Sequence, residues 1–285
     1  MKKVSVKIPA KINFTLDVLG VQGKFHKINS LVASVNVYDE IIAKPRNDKK
    51  IKLVMKGIKV DCPMEDNNAF KAASYFITKC KTNGVDIVIN KNIPVGGGLG
   101  GSSADIAGVL VAMEQIYKTG QNLEVLASKL GSDTAYMVNG GYAVISGRGE
   151  KVERKACTEK FHLLALTDDT PILAKECYKK FDRTRKRQLP TTALAVNALL
   201  NSDLELFYKL IKNDLESSAE KLSSEVTFNL LLLKHTDAQA VFVAGSGPTV
   251  LAVYKNAWER NNAYKKLYPL CGKKLLKLDT IPDKE

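Results

Sequence analysis

Four short stretches hold residue types whose spacing could do chemistry. The first is glycine-rich and reads Asn92-Ile93-Pro94-Val95-Gly96-Gly97-Gly98-Leu99-Gly100-Gly101-Ser102-Ser103-Ala104. Upstream, Val85, Ile87 and Ile89 alternate with Asp86, Val88 and Asn90, as a strand with one buried face would. Downstream, Ile106, Val109, Leu110, Met113 and Ile116 recur at three- and four-residue steps, the apolar stripe of a helix. Glycines between a strand and a helix N-terminus let the backbone turn tightly and aim several N–H groups one way. The helix dipole adds to them, so the run is an anion site and phosphate its expected guest.

The other three are shorter. In Pro9-Ala10-Lys11-Ile12-Asn13 the alternation continues to Val18 and puts Lys11, Asn13, Thr15 and Asp17 on one strand face. Spacing alone allows a solvated face or a pair of polar groups projecting into a cleft. Leu130-Gly131-Ser132-Asp133 places Asp133 in the first turn of a short helix, where the dipole stabilises a carboxylate. Simple N-capping explains it as well. Gly245-Ser246-Gly247-Pro248 joins two apolar strands, Ala240 to Ala244 and Thr249 to Val253, and by itself is a hairpin turn.

Not every phosphate loop fits the first stretch. Gly96-x-Gly98-x-x-Gly101 satisfies the dinucleotide fingerprint in letters. A Rossmann turn, however, follows a buried parallel strand directly, and here Asn90 to Pro94 intervene. No Gly-Lys-Ser/Thr closes the run, which excludes a Walker loop. A flexible linker is seldom preceded by proline and followed at once by a periodic helix.

Pro94-x-x-x-Gly98-Leu99-Gly100-Gly101-Ser102-Ser103-Ala104 resembles the central motif of the GHMP kinases, the family of galactokinase and of homoserine, mevalonate and phosphomevalonate kinases. The resemblance extends along the whole chain. It implies that Pro94 to Ala104, including Val95, Gly96 and Gly97, cradle ATP through backbone amides, with Mg²⁺ as the accompanying ion. It implies that Asp133, in a Leu-Gly-(Ala/Ser)-Asp motif, accepts the acceptor's proton and that Lys11 holds Asp133 ionised and offsets charge on the transferring phosphoryl. Asn13 would orient the hydroxyl, and Gly245-Ser246-Gly247 would be the third family motif, approaching the substrate.

Pro9-Ala10-Lys11-Ile12-Asn13 is similar to one branch of the family, whose acceptor is a cytidine diphosphate-linked methylerythritol. The implied reaction is phosphorylation of its 2-hydroxyl, a step of isoprenoid precursor synthesis. In that branch an aromatic–His pair grips the cytosine, and Phe25-His26 stands in its place in an apparent polar connection from Gly20 to Lys27. Three departures follow. Phe25 replaces the usual tyrosine in a shortened connection, Ser102 stands where a further glycine is usual, and Thr134-Ala135 replaces Val-Pro. A relative acting on a different small alcohol, or a non-catalytic basic RNA-binding module, are the alternatives.

The implied fold is α+β, a two-domain GHMP kinase fold: a ribosomal protein S5 domain 2-like N-terminal domain and a ferredoxin-like C-terminal domain, with the site between them. The boundary is expected near residue 155, giving 1–155 and 156–285. Pattern and turn signals supply the elements. Strands are expected on either side of Pro9, at Leu31 to Val37 and at Ile51 to Met55, with an Asn67-capped helix to about Cys80. A helix runs from Asn122 to Leu130. Later come a strand at Phe161 to Leu166, several helices between about 191 and 236, among them Asn213-Asp214-Leu215-Glu216, which echoes a motif of the same branch, and a final helix and strand.

Composition bounds the rest. The 285 residues suit two domains with ample core, and no apolar run approaches a membrane span. Five scattered cysteines without C-x-x-C spacing fit reduced thiols in a cytoplasmic protein and no metal cluster. The net charge of +13 permits nucleic-acid binding but equally suits polyanionic substrates. Neither a membrane nor nucleic acid is an expected partner, and a monomer or homodimer is. The run Arg183-Thr184-Arg185-Lys186-Arg187 reads as a solvated loop or a nucleotide-facing patch.

Overall fold

The computed structural model describes residues 3–23, 25–60, 62–184 and 189–282. Lys24 and the Arg185-Lys186-Arg187 part of the basic run lie outside the described residues. The chain groups into two compact units. The first comprises Met1–Ala10, Val37–Val95 and Gly100–Gly140, the second Lys11–Asn36, Gly96–Leu99 and Gly141–Glu285. The glycine run is therefore divided between them.

The chain opens with β1 (Val4–Asn13), β2 (Thr15–Gln22), β3 (Phe25–Pro45) and β4 (Ile51–Gly57), then α1 (Asn68–Cys80) and β5 (Val85–Lys91). Helices α2 (Gly101–Tyr117), α3 (Leu123–Ala127) and α4 (Thr134–Asn139) follow. Next come β6 (Tyr142–Gly147), β7 (Lys151–Arg154), β8 (His162–Leu166), α5 (Ala174–Thr184), α6 (Thr192–Leu200) and α7 (Leu204–Leu210). The last are β9 (Lys212–Asn213), α8 (Glu216–Glu220), α9 (Ser224–Lys234), β10 (Ala240–Val243), β11 (Val250–Tyr254), α10 (Ala257–Cys271) and β12 (Leu275–Asp279).

In the first unit the C-terminal half of β3 runs antiparallel to β5, which lies parallel to β4 with α1 as the crossover. Asn67 caps α1 through its side chain, as its residue type predicts. Helix α2 carries more than one apolar stripe: Ala104 to Leu110, Ala112 and Met113 are all buried. Small residues let neighbours close in on several sides, and a Cβ at Gly108 would lie 2.3 Å from Ile41 Cδ1. Helix α3 stops at Ala127, three residues short of the expected Leu130, because Leu130 turns back to the Ala127 carbonyl.

In the second unit the N-terminal half of β3 pairs with β2 and with β6, and β9 adds to β2 in parallel. The second sheet has the order β10-β11-β8-β12, with every neighbour antiparallel. That order, with helices between its first and second and third and fourth strands, is ferredoxin-like. The chain breaks between β1 and β2 at Phe14, not at Pro9. Proline is tolerated because β1 has β3 as its strand partner and keeps an unpaired edge among the described residues. Phe14 is buried against Phe161 and Phe207, with ring centroids 5.1 and 5.2 Å away. Burying that ring fixes the turn.

All five cysteines are free. Among the described residues no helix is long and apolar enough to cross a membrane.

Candidate active site

Within the second unit, three sequence-distant stretches meet at the glycine run. The Lys11 amide donates to the Leu99 carbonyl at 3.0 Å, tying the end of β1 to the run. Gly98 has φ +77°, and a Cβ there would lie 1.9 Å from the Ala244 carbonyl oxygen. Both conformation and space therefore demand glycine. A Cβ on Gly245 would sit 3.3 Å from the Gly98 carbonyl oxygen and 3.7 Å from Asn13 Oδ1. Lys11, Asn13, Gly98, Leu99 and the Gly245-Ser246-Gly247 turn are thus neighbours.

The polar strand face is buried, not solvated: Lys11, Asn13, Thr15 and Asp17 are all at most 4% exposed. Each finds a partner, as a buried polar group must. Lys11 Nζ donates to Asn13 Oδ1 at 2.6 Å, and Asn13 Nδ2 donates to Ser30 Oγ at 2.8 Å. Ser30 Oγ donates to the Thr15 carbonyl, and Thr15 shares a hydrogen bond with Thr192. Asp17 accepts the Thr191 and Thr192 amides at 3.0 and 2.9 Å, supplying the start of α6 with a cap from another element. The ladder's far end is structural, and its near end reaches the glycine run.

Asn213 braces the Gly-Ser-Gly turn. Its Nδ2 donates to the Val243 and Gly245 carbonyls at 2.7 and 2.6 Å, while its Oδ1 accepts the Leu215 amide. Glu216 accepts the Val243 amide at 3.2 Å, and burial raises its pKa.

Phe25 and His26 lie in a strand, not a loop. The connection expected from Gly20 to Lys27 is a hairpin that pairs Gln22 with Phe25 and Val21 with His26. The strand pattern of β2 continues to Gln22, so few residues are left for a loop. His26 Nε2 is 2.8 Å from Asp182 Oδ1 on α5, and its ring stacks on Tyr178 with centroids 4.5 Å apart. Phe25 is half exposed, with the Arg148 guanidinium 5.1 Å from its ring centroid.

In the first unit, Asp133 occupies the N-cap position of α4, yet its side chain makes no capping hydrogen bond. N-capping therefore does not explain this aspartate. Thr134 instead ties the turn together, its hydroxyl donating to the Ala127 and Gly131 carbonyls. Ser102, in the first turn of α2, accepts from Asn68 Nδ2 at 2.5 Å; Ser103 and Ala104 complete that turn.

Beneath the run lies a cluster that sequence reasoning missed. Lys91 Nζ donates to Asp39 Oδ2 (2.5 Å), Asp105 Oδ2 (2.8 Å) and the Gly101 carbonyl (2.9 Å). Asp39 Oδ1 accepts the Asn92 and Ile93 amides at 2.7 and 2.9 Å. Burial raises Asp105 to about 7 against the pull of Lys91, and the Asp39 carboxylate adds to the rise. A signal was present: Lys91 falls on the inward face of β5 with Val85, Ile87 and Ile89, where an apolar residue belongs.

The GHMP kinases N terminal domain profile matches residues 67–148, and the GHMP kinases C terminal profile matches 195–271. The 4-diphosphocytidyl-2-C-methyl-D-erythritol kinase of Alkaliphilus metalliredigens is 30% identical over 276 residues, 94% of this chain and 93% of that protein. The chain belongs to the GHMP kinase family. The protein of the same name from Caldanaerobacter subterraneus subsp. tengcongensis is 32% identical over 283 residues, 94% of each chain. A crystal structure of 4-(cytidine 5'-diphospho)-2C-methyl-D-erythritol kinase superposes with a TM-score of 0.79 over 98% of this chain and all of that one, at 23% identity, and shows the GHMP kinase fold. This chain is accordingly an ATP-dependent kinase with a small-molecule acceptor.

Proposed function

We propose that this GHMP kinase transfers the γ-phosphoryl of ATP to the 2-hydroxyl of 4-diphosphocytidyl-2-C-methyl-D-erythritol. Whole-length similarity to kinases so named supports the acceptor. The observation that carries the site is the meeting of Lys11, Asn13 and the Gly-Ser-Gly turn at Gly98.

Phosphoryl transfer asks the protein for positioning and charge stabilisation more than for covalent chemistry. In this reading the amides from Pro94 to Ala104 bind the polyphosphate at the start of α2, a helix of 17 residues whose dipole favours an anion. Lys11 offsets charge on the transferring phosphoryl. Asn13, fixed by Lys11 and Ser30, aims its amide at the acceptor hydroxyl. Asp133 takes the hydroxyl's proton. Mg²⁺ would accompany the nucleotide and offset charge on its phosphates, and no residue of this chain is assigned to it.

The cytidine end is assigned to Phe25 and His26. Asp182 faces Nε2 of His26, which leaves Nδ1 to meet the base, while Arg148 and Phe25 offer a charged and an aromatic face. The domain boundary near residue 155 and a cytoplasmic setting belong to the same reading.

The test is ATP consumption with Mg²⁺, comparing the cytidyl compound with homoserine, mevalonate and phosphomevalonate. Turnover on the cytidyl compound that disappears in Asp133→Ala supports the assignment. Turnover on another alcohol alone keeps the kinase and discards the acceptor.

A further inference from the structure

We propose that Lys91 is a positioning residue for the nucleotide's phosphates, acting through the two arms of the glycine run in partnership with Asp39 and Asp105. The proposal rests on reading that run as the ATP phosphate loop. Lys91 is 2% exposed, and all three of its ammonium protons are committed, to Asp39, Asp105 and the Gly101 carbonyl. It touches no residue assigned to the acceptor, and its role is therefore indirect.

What the cluster holds is specific. Asp39 fixes the Asn92 and Ile93 amides, where the chain enters the run. Lys91 fixes the Gly101 carbonyl, where the run becomes α2. A trans peptide points its N–H opposite to its C=O, so pinning the Gly101 carbonyl fixes the direction of the Ser102 amide. That amide is among the helix-start donors an anion uses. One buried cation thus sets both ends of the run.

The charges do not balance. Two acids converge on one base, and Asp105 Oδ1 is buried without a hydrogen-bond partner. A carboxylate in the second turn of α2 offsets the positive helix end that a phosphate needs, whereas a neutral carboxyl leaves it intact. Burial places the ionisation of Asp105 at about 7, so both forms are accessible near neutrality. The charged groups facing it are Lys91 at the end of β5 and Asp39 on β3. On the helices packed beside α2, Lys71 of α1 pairs with Asp66, Glu124 of α3 accepts from Asn139, and Asp133 stands at the start of α4.

The experiment measures binding of Mg²⁺·ADP by calorimetry, together with steady-state kinetics, for wild type, Asp105→Asn and the Lys91→Met/Asp105→Asn double variant. In the double variant Asp39 keeps its two backbone donors, so its charge is not stranded. The expected result is a Kd for ADP and a KM for ATP raised about tenfold or more, with kcat at saturating ATP and the acceptor KM changed less than about threefold. Wild-type affinity should weaken about threefold from about pH 6 to about pH 9, and Asp105→Asn should remove that slope. Wild type that binds ADP beside a double variant that binds it equally well overturns the proposal. Equal pH slopes in wild type and Asp105→Asn overturn it too, and that comparison stands even if the double variant does not fold. Wild type that binds no ADP sinks the phosphate-loop reading itself.

Discussion

Lys11 and Lys91 are both buried lysines beside the glycine run, and their surroundings differ in kind. Lys91 is enclosed by two carboxylates and a carbonyl. Lys11 donates to a side-chain amide, which passes the hydrogen bond on through Ser30 to the backbone of Thr15. A cation neutralised by buried acids has its field cancelled locally and serves as an anchor. Lys11 instead bonds Asn13 beside the Gly98 end of the run, where the proposed reaction takes place. In the proposed reading the contrast separates a lysine that shapes a loop from one that acts on a reacting group.

The sharpest way to break this contrast is to remove the group that Lys11 is meant to serve. Asp133→Ala should lower kcat by about 10²- to 10⁴-fold with nucleotide affinity retained. Lys11→Met should cost about 10²-fold in kcat with little change in the KM for ATP, the reverse of the pattern expected at Lys91. If both lysine variants change the same constant, the two environments do not encode two roles.

Gly98→Ala tests the geometry beneath the comparison. Its methyl group would meet the Ala244 carbonyl, and its φ is positive, so the run must shift. A stability loss of about 1–3 kcal/mol in denaturant titration, with activity reduced further, is expected. Asp105→Asn probes the anchor through stability against pH. Burial raises the folded-state ionisation of Asp105 to about 7, above the unfolded value near 4. The protonated carboxyl therefore favours the folded state at low pH, and that contribution is lost as pH rises from about 4 to about 7. Wild type should lose on the order of 4 kcal/mol from this group across that window at most, and Asp105→Asn should show a flatter profile. Smallest of all, Asp182→Asn should raise the KM of the cytidyl acceptor about threefold by loosening His26, leaving the KM for ATP unchanged.

The motifs that Lys11, Asp133, Gly98 and Gly245 belong to were legible because each is contiguous and resembles a family motif, whereas spacing alone left Lys11, Asp133 and Gly245 open. The α+β class was legible because strand alternation and helix periodicity report local burial, while the ferredoxin-like second sheet came from the family resemblance. The anchor was not legible, because Asp39 and Lys91 lie 52 positions apart and Lys91 and Asp105 another 14. Only the interruption of three apolar faces hinted at it. Asp39 and Lys91 stand two residues from Ile41 and Ile89 on their strands, and Asp105 four from Val109 on α2, where each neighbour would suggest another hydrophobe. The hairpin at Phe25 misled for the opposite reason. Gly20 and Gln22 look like loop composition, yet backbone pairing with β3 overrides residue preference there. The polar face of β1 and β2 stayed open on spacing, because alternation cannot tell water from a second layer of protein.

The contact between Gly98 and the Ala244 carbonyl also bears on drug resistance. An inhibitor seated along that edge of the glycine run would face a target unable to add even a methyl group at residue 98 without displacing its own main chain. Escape by substitution at that position would therefore damage the enzyme before it excluded the compound.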